Sequence, residues 1–352
     1  MKTNVIDYSR EGTRLMKIKD IAKISGLSVA TVSRVLNNNP NVTAETREKV
    51  ENAIAKTGYV PNVLGRNLRV SKTHKIFVIL PTLSNQFYSE ILEAIQEQAI
   101  HSKYLILIGV TNNDPILEAK YMDMLITKQV DGVITFLSKY DQFSLSQWAS
   151  KYPLVQCCEY TEGAKITNIS VDNEQGAYDA VTYLIRKGHT KIGAIKGQLY
   201  FASENDRSRG YKRALKDADI EYRPEYTCTT DYTPEGGVLG AQNLMNLQDP
   251  PTAIFAYGDI IAIGAIKSLK DMGKIRKDRK DGVKNIAVIG FDDIPMAEMF
   301  APTISSVYQP KFELGKRSFK LLIDQINNTA EVKEFFSIRL PHKLVIRESS
   351  EI

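Results

Sequence analysis

The chemistry most legible in this chain is recognition rather than bond making. Arg34 carries a planar guanidinium that can pair with guanine O6 and N7 at once. Val29 and Ala30 precede it at helical spacing and are short and apolar, as contact with a thymine methyl requires. Thr31, Ser33 and Asn37 add hydroxyl and amide groups that can reach phosphates or base edges. By contrast, GxxxxGK, HExxH, GxSxG and CxxC do not occur. His74, His101, His189 and His342 are scattered, and none sits with a candidate Ser or Cys nucleophile. The Gly236-Gly237-Gly240 cluster is too weak to read as a phosphate loop. An enzyme survives only as an undetected activity.

Three short helices are needed to hold that reading face. Ile18, Ile21, Ala22 and Ile24 fall on one face at helical spacing, and Gly26 breaks the helix they form. Ser28 is a good N-cap for a second helix from Val29 to about Asn37, with Val32, Val35 and Leu36 turned inward. The run Asn37-Asn38-Asn39-Pro40-Asn41 is turn chemistry. Thr43 caps a third helix whose core face is Val50, Ala53 and Ile54 and which ends at Gly58. This is a helix-turn-helix layout, whose second helix enters the major groove.

Charge agrees with that layout. The net +5 splits unevenly: residues 1–74 hold 13 Lys+Arg against 6 Asp+Glu, and residues 75–352 hold 33 against 35. A nucleic-acid module joined to a neutral body produces this asymmetry, although charge alone leaves open a basic tail without a partner. At 43% apolar and 25% charged the composition is that of an ordinary soluble protein of about two domains. The N-terminus has no apolar core of the secretory kind, no run is long enough for a membrane helix, and three cysteines without CxxC make no disulfide framework. Cys157 and Cys158, adjacent in an apolar run, read as buried strand residues. A cytoplasmic protein is expected.

The string from Lys17 to Asn62, with VATVSRVLN, TREKV and GYVPN in place, resembles the DNA-binding headpiece of the lactose/galactose repressor family. The resemblance implies that Val29, Ala30 and Arg34 read bases. Ser33, Asn37, Thr43, Thr46 and Tyr59 match phosphate-contacting or capping positions, and Asn41 matches a second DNA-facing one. Lys17 stands where the family often has Thr as the first cap. Residues 61–74 match a hinge helix that orders on the operator, with Leu68 wedged between base pairs and Asn62 and Arg69 on the backbone. Gly65, in place of the usual Ala, implies a looser hinge.

Beyond residue 74, apolar runs alternate with amphipathic stretches at roughly 30-residue spacing, which argues parallel sheets built from βαβ units. The expected strands are 75–80, 104–110, 131–137, 153–160, 191–197, 252–258 and 285–292, with an apolar run at 304–310 and a last strand at 341–349. Helices are expected at 88–102, 115–128, 174–187, 204–218, 235–246, 260–272 and 311–326. SNQFY, DGVI, GHTKIGAIKG, RGYKRAL, PTAIFAYGD and IAVIGFDD extend the family resemblance over residues 75–349. The fold class is thus an all-α helix-turn-helix headpiece plus an α/β core. That core is two-lobed and similar to periplasmic binding proteins, with doubly wound parallel sheets. The expected N-lobe is about 75–168 plus 309–338, and the C-lobe about 169–308 plus 339–349.

The resemblance also places ligand-meeting residues in the cleft. Ser84, Phe87 and Tyr88 follow the first strand, Glu159 follows the fourth, and Tyr232 sits where the family often has an aromatic. Arg207 matches the family's Arg that clasps ligand hydroxyls or a carboxylate, and Asp292 matches the acid that accepts hydroxyl bonds. Asp259 belongs to the same set, but Gly258 precedes it where the family has Asn or Thr, and Gln86 replaces the usual Pro. No cofactor or metal is expected. The expected partners are a pseudo-palindromic DNA operator, a small effector of sugar type, and a second copy in a homodimer, since the chain stops soon after Ser349 without a leucine heptad tail. A phosphocarrier corepressor, as in some relatives, is left open. Residues 274–284 form a basic loop, read as solvated surface. Met16 is read as the true start, making residues 1–15 an artefact or else a short arm.

Overall fold

The computed structural model describes residues 16–60, 72–136, 140–197, 201–276, 285–328 and 334–351. The chain divides into two compact units, one ending at Lys72 and one beginning at Thr73. The expectations for residues 1–15, for the hinge residues Asn62, Gly65, Leu68 and Arg69, and for most of the basic loop lie outside the described residues.

The first unit contains α1 (Ile18–Ser25), α2 (Val29–Leu36) and α3 (Ala44–Thr57). An ammonium has no lone pair, so Lys17 cannot cap α1 with its side chain. Asp20 supplies the other half of a capping box, accepting the Lys17 backbone N–H at 2.8 Å. Gly26 ends α1 in the left-handed region at φ 69°, where a side chain would be strained. Ser28 caps α2 by accepting the Thr31 N–H at 3.1 Å, and Thr43 caps α3 by accepting from Thr46 at 3.3 Å. Ile21, Ala22, Val32, Val35, Val50, Ala53 and Tyr59 form the core. Ile24, expected on the buried face, is instead half exposed. So small a core makes each cap, at about 1 kcal/mol, a substantial share of the unit's stability.

The second unit holds two six-stranded sheets. In the first, β1 (Lys75–Leu80), β2 (Leu105–Val110), β3 (Gly132–Thr135), β4 (Leu154–Cys157), β5 (Thr167–Val171) and β11 (Ser337–Leu340) lie in the order 2-1-3-4-5-11, all parallel. In the second, β6 (Ile192–Gly197), β7 (Thr227–Thr230), β8 (Ala253–Ala256), β9 (Ala287–Asp292), β10 (Ser305–Tyr308) and β12 (Lys343–Val345) repeat that order as 7-6-8-9-10-12. There β12 runs antiparallel to β10. Each sheet therefore reverses its strand order between its first and third strands, and a crevice opens at such a switch point.

Helices α4 (Gln86–Ile100), α5 (Pro115–Ile126), α6 (Gln142–Lys151) and α12 (Lys311–Asn327) belong to the first lobe. Helices α7 (Asn173–Arg186), α8 (Ala202–Asp217), α9 (Pro234–Met245), α10 (Asp259–Asp271) and the short α11 (Pro295–Met299) belong to the second. A Cβ at Gly237 would collide with the Ile261 carbonyl, and one at Gly264 with that of Pro234. The glycines of α9 and α10 thus serve close helix packing.

Three short strands and two helices escape the apolar pattern. They are β5 (TNISV), β7 (TCTT), β11 (SIRL), α6 and the short α11. The lobe boundaries shift accordingly: β5 carries the first sheet to Val171 rather than 168, and β11 carries it to Leu340 rather than 338. The last expected strand, 341–349, shrinks to Lys343–Val345 followed by a 3-10 turn at Glu348–Ser350.

Candidate DNA-reading face and effector cleft

In the first unit, burial divides α2 into two faces. Val32 and Val35 point into the core, while Ser28, Val29, Ala30, Arg34 and Asn37 are exposed and Thr31 and Ser33 half-buried. Positions 29, 30, 33, 34 and 37 share one helical face, so the proposed base readers stand side by side. Ser28 and Thr31 hydroxyls bond each other at 2.9 Å at the N-terminal end. Asn37 closes the other end, donating Nδ2 to the Ser33 carbonyl at 2.8 Å. Thr43 donates its hydroxyl to that of Thr46 at 2.8 Å, and Asn41 is exposed in the preceding turn. Tyr59 differs from its exposed neighbours, because its ring is buried in the three-helix core. Arg47 was not singled out by the sequence. It braces the turn after α2 through Asn38 Oδ1 at 3.0 Å and the Asn39 carbonyl at 3.3 Å.

In the second unit, strand C-terminal ends from both lobes converge on a cleft. Asn85 caps α4, accepting the Phe87 N–H at 3.0 Å, which sets Phe87 and Tyr88 at the first turn. An inner chamber of about 110 Å³ is lined by Phe87, Tyr88, Glu159, Arg207, Tyr232 and Asp292, all expected from sequence. It shares Pro81, Thr82, Asn85, Asn113 and Tyr232 with an outer chamber of about 510 Å³, where Ser84 lies. Phe201, Ser203, Glu204 and Gln309 also line the inner chamber and were missed. Residues 201–204 belong to a charged stretch that reads as solvated surface until the helix is docked.

Arg207 is the hub of the chamber. Its Nε donates to Asn173 Oδ1 at 3.0 Å, and its Nη1 donates to the Tyr257 carbonyl and the Tyr232 hydroxyl. Its guanidinium lies 3.7 Å from the Phe291 ring centroid and 3.7 Å from Asp292 Oδ1. Burial opposes the Arg207 charge, but Tyr232, Asp292 and the nearby glutamates outweigh it and hold the guanidinium protonated. Asp292 sits at φ 109°, a strained value for a non-glycine residue. Gln309 Nε2 donates to its Oδ1 at 2.7 Å, and buried Lys311 donates to the carbonyls of Asp292 at 2.9 Å and Asp293 at 2.6 Å. Burial nevertheless raises the Asp292 carboxyl above the ordinary range. Burial also pushes Glu159 up to about 7, against the Ser203 N–H and hydroxyl that donate to it. The same cause pushes Glu204 up to about 8.

Asp259 departs from expectation. It does not line either chamber. Its carboxylate accepts the Ser306 hydroxyl at 2.6 Å and the Ile294 N–H at 2.8 Å, fully buried at the start of α10. It pins the turn that follows Asp292, and burial raises its carboxyl far above the usual range. Gly258 has a structural reason instead. A Cβ there would overlap the Tyr232 hydroxyl, which donates to the Tyr257 carbonyl at 2.9 Å. The tyrosine fills the space a side chain would take. Gln86 also gains a role, since its Oε1 accepts the Met296 N–H at 3.3 Å and so joins α4 of one lobe to α11 of the other. Tyr160, which donates to Asp206 Oδ1 at 2.8 Å, is a second tie between lobes.

Comparison with known proteins matches these two parts separately. Residues 17–62 match the family model of bacterial regulatory proteins, lacI family. Residues 73–348 match that of periplasmic binding proteins and the sugar-binding domain of the LacI family. The chain belongs to the LacI family. As a LacI-family member it is a DNA-binding transcription regulator. The HTH-type transcriptional repressor CytR of Escherichia coli strain K12 is 34% identical over 311 residues, covering 88% of this chain and 89% of CytR. A lac repressor dimer bound to operator and the anti-inducer ONPF superposes with a TM-score of 0.81 at 25% identity, over 96% of this chain and 99% of that one. A complex of the regulator CelR with cellobiose gives 0.69 at 27% identity, over 95% and 99%. Among the described residues no helix is long and apolar enough to cross a membrane.

Proposed function

We propose that this regulator is a cytoplasmic, homodimeric repressor whose hold on a pseudo-palindromic operator is set by a small polyol bound between the lobes. The observation that carries the effector half is the buried Arg207–Asp292 pair, set among Phe87, Tyr88 and Tyr232 at the strand ends of two lobes. Fixed charged groups give hydroxyls direction, and aromatic rings cover the apolar face of a sugar. Catalysis has no part in this reading. On the DNA side, Val29, Ala30 and Arg34 read bases. Ser33, Asn37, Thr43 and Thr46 hold phosphates, Ser28, Thr31 and Asn41 add further DNA contacts, and in the hinge Leu68 wedges into the minor groove while Asn62 and Arg69 contact the backbone. Buried Tyr59 supports the fold of the headpiece.

Apolar Ile108 on edge strand β2 and Ile100 at the end of α4 are exposed, which supports a self-association surface on the first lobe. Two headpieces in such a dimer would meet two half-sites, and closure of the cleft on an effector would change how the hinges approach them. Footprinting on DNA selected from a random pool, repeated with a panel of sugars, tests the whole reading. A protected palindrome whose occupancy changes with one sugar is expected. Lack of sequence-selective protection, or protection that no metabolite alters, overturns it.

A further inference from the structure

Acidic side chains outnumber basic ones in the inner chamber. Three carboxyl groups line it, Glu159, Glu204 and Asp292, beside the single guanidinium of Arg207. Asp292 is answered by Arg207 and Gln309, and Glu159 by the Ser203 N–H and hydroxyl. Glu204 takes a backbone hydrogen bond from Gly197. It is 5% exposed, and its Oε2 is buried without a hydrogen-bond partner. The charged groups acting on it are Arg207 on α8, Lys196 on β6 and Glu159 after β4; Asp206 acts on Glu159, Asp292 at the end of β9 lines the same chamber, and Lys311 on α12 lies beyond Asp292. Lys196 is the second cation near Glu204, and it does not line the chamber. Phe87, Tyr88, Phe136, Phe201 and Tyr232 supply ring faces around the same space. Aromatic faces beside a carboxyl that ionises against a cation suit an ammonium.

We propose that the effector is a polyol bearing a protonated amine, an amino sugar, whose ammonium binds against Glu204. This rests on the effector reading of the cleft and narrows it to a chemical class. Neutral sugar hydroxyls would satisfy Arg207 and Asp292 equally well, so Glu204 is the residue that separates the two classes. An ammonium supplies the donor that Glu204 Oε2 lacks and makes ionisation of the carboxyl favourable. Burial raises that carboxyl to about 8. Binding of an ammonium near neutral pH therefore displaces a proton from Glu204, whereas binding of a neutral sugar does not.

Titration calorimetry of the full chain at pH 7 tests this, with glucose and glucosamine, galactose and galactosamine, and mannose and mannosamine compared in buffers of different ionisation heat. The expected result is that one amino sugar binds at least tenfold more tightly than its neutral parent and releases protons to the buffer. Glu204→Gln, isosteric and uncharged, is expected to abolish both the preference and the proton release. A neutral sugar that binds as well as its amino counterpart overturns the proposal and leaves the effector reading intact. So does an amine preference that survives in Glu204→Gln. Binding of neither class at millimolar concentration overturns the effector reading as well.

Discussion

Glu204→Gln should also change how the ligand-free protein responds to pH. A carboxyl whose pKa is higher in the folded than in the unfolded state keeps its proton on folding. Its stabilising contribution is complete below the unfolded value and is lost as pH rises through the folded one. For Glu204 that window runs from its ordinary value of 4.5 up to about 8. With about 1.36 kcal/mol per pH unit, the integral between pH 6 and 8.5 comes to about 2–3 kcal/mol lost from the second unit. Glu159, raised to about 7, adds about 1 kcal/mol over the same range. A glutamine keeps the shape and removes the larger share. Thermal denaturation followed by circular dichroism should show the native protein losing roughly 3–5 °C more than Glu204→Gln between pH 6 and 8.5. Parallel melting curves for the two proteins across that range would refute the view that Glu204 is a buried, uncompensated carboxyl.

Three further substitutions probe other parts. Arg34→Ala should weaken operator binding by about 1–3 kcal/mol and relax the preference at one base pair in each half-site, with effector affinity unchanged, as read by fluorescence anisotropy on a set of single-base variants. Asp259→Asn keeps the volume but replaces an acceptor of two hydrogen bonds with an amide, and should destabilise the second unit by about 1–3 kcal/mol in urea denaturation. Loss of effector binding with no loss of stability would instead make Asp259 a ligand contact. Gln86→Ala removes the bond to the Met296 N–H between α4 and α11, so small-angle scattering should report a more open average shape without effector. Identical scattering from both proteins would remove Gln86 from the closure machinery.

The headpiece was legible because its signals are local. Ser28, Thr43 and Gly26 act within a few residues of where they stand, and Val32 and Val35 mark a face that needs no distant partner to define it. The alternating lobes were legible through long apolar runs such as KIFVIL and AVIGFD. Hydroxyl-rich strands such as β7 (TCTT) were not, because their place in the sheet is decided by the neighbouring strand rather than by apolarity. Asp259 was misplaced for a related reason. Its position beside Gly258 in a family motif says that it is near the cleft, whereas only the path of residues 292–306 shows that its oxygens are taken by Ile294 and Ser306. Glu204 was invisible because burial of one residue in a charged helical stretch depends on how α8 docks against the chamber. Lobe membership after Val171 and Leu340 rests likewise on which sheet edge a short strand finds, which no local pattern encodes.

The central claim is that one cleft governs one reading face, and linkage gives its most direct test. Operator affinity is measured by anisotropy with and without saturating effector, and effector affinity by calorimetry with and without saturating operator. Energy conservation requires the two factors to be equal, and the predicted factor lies in the range of about 5 to 150 typical of coupled sites. Effector affinity that is the same with and without operator would contradict the account.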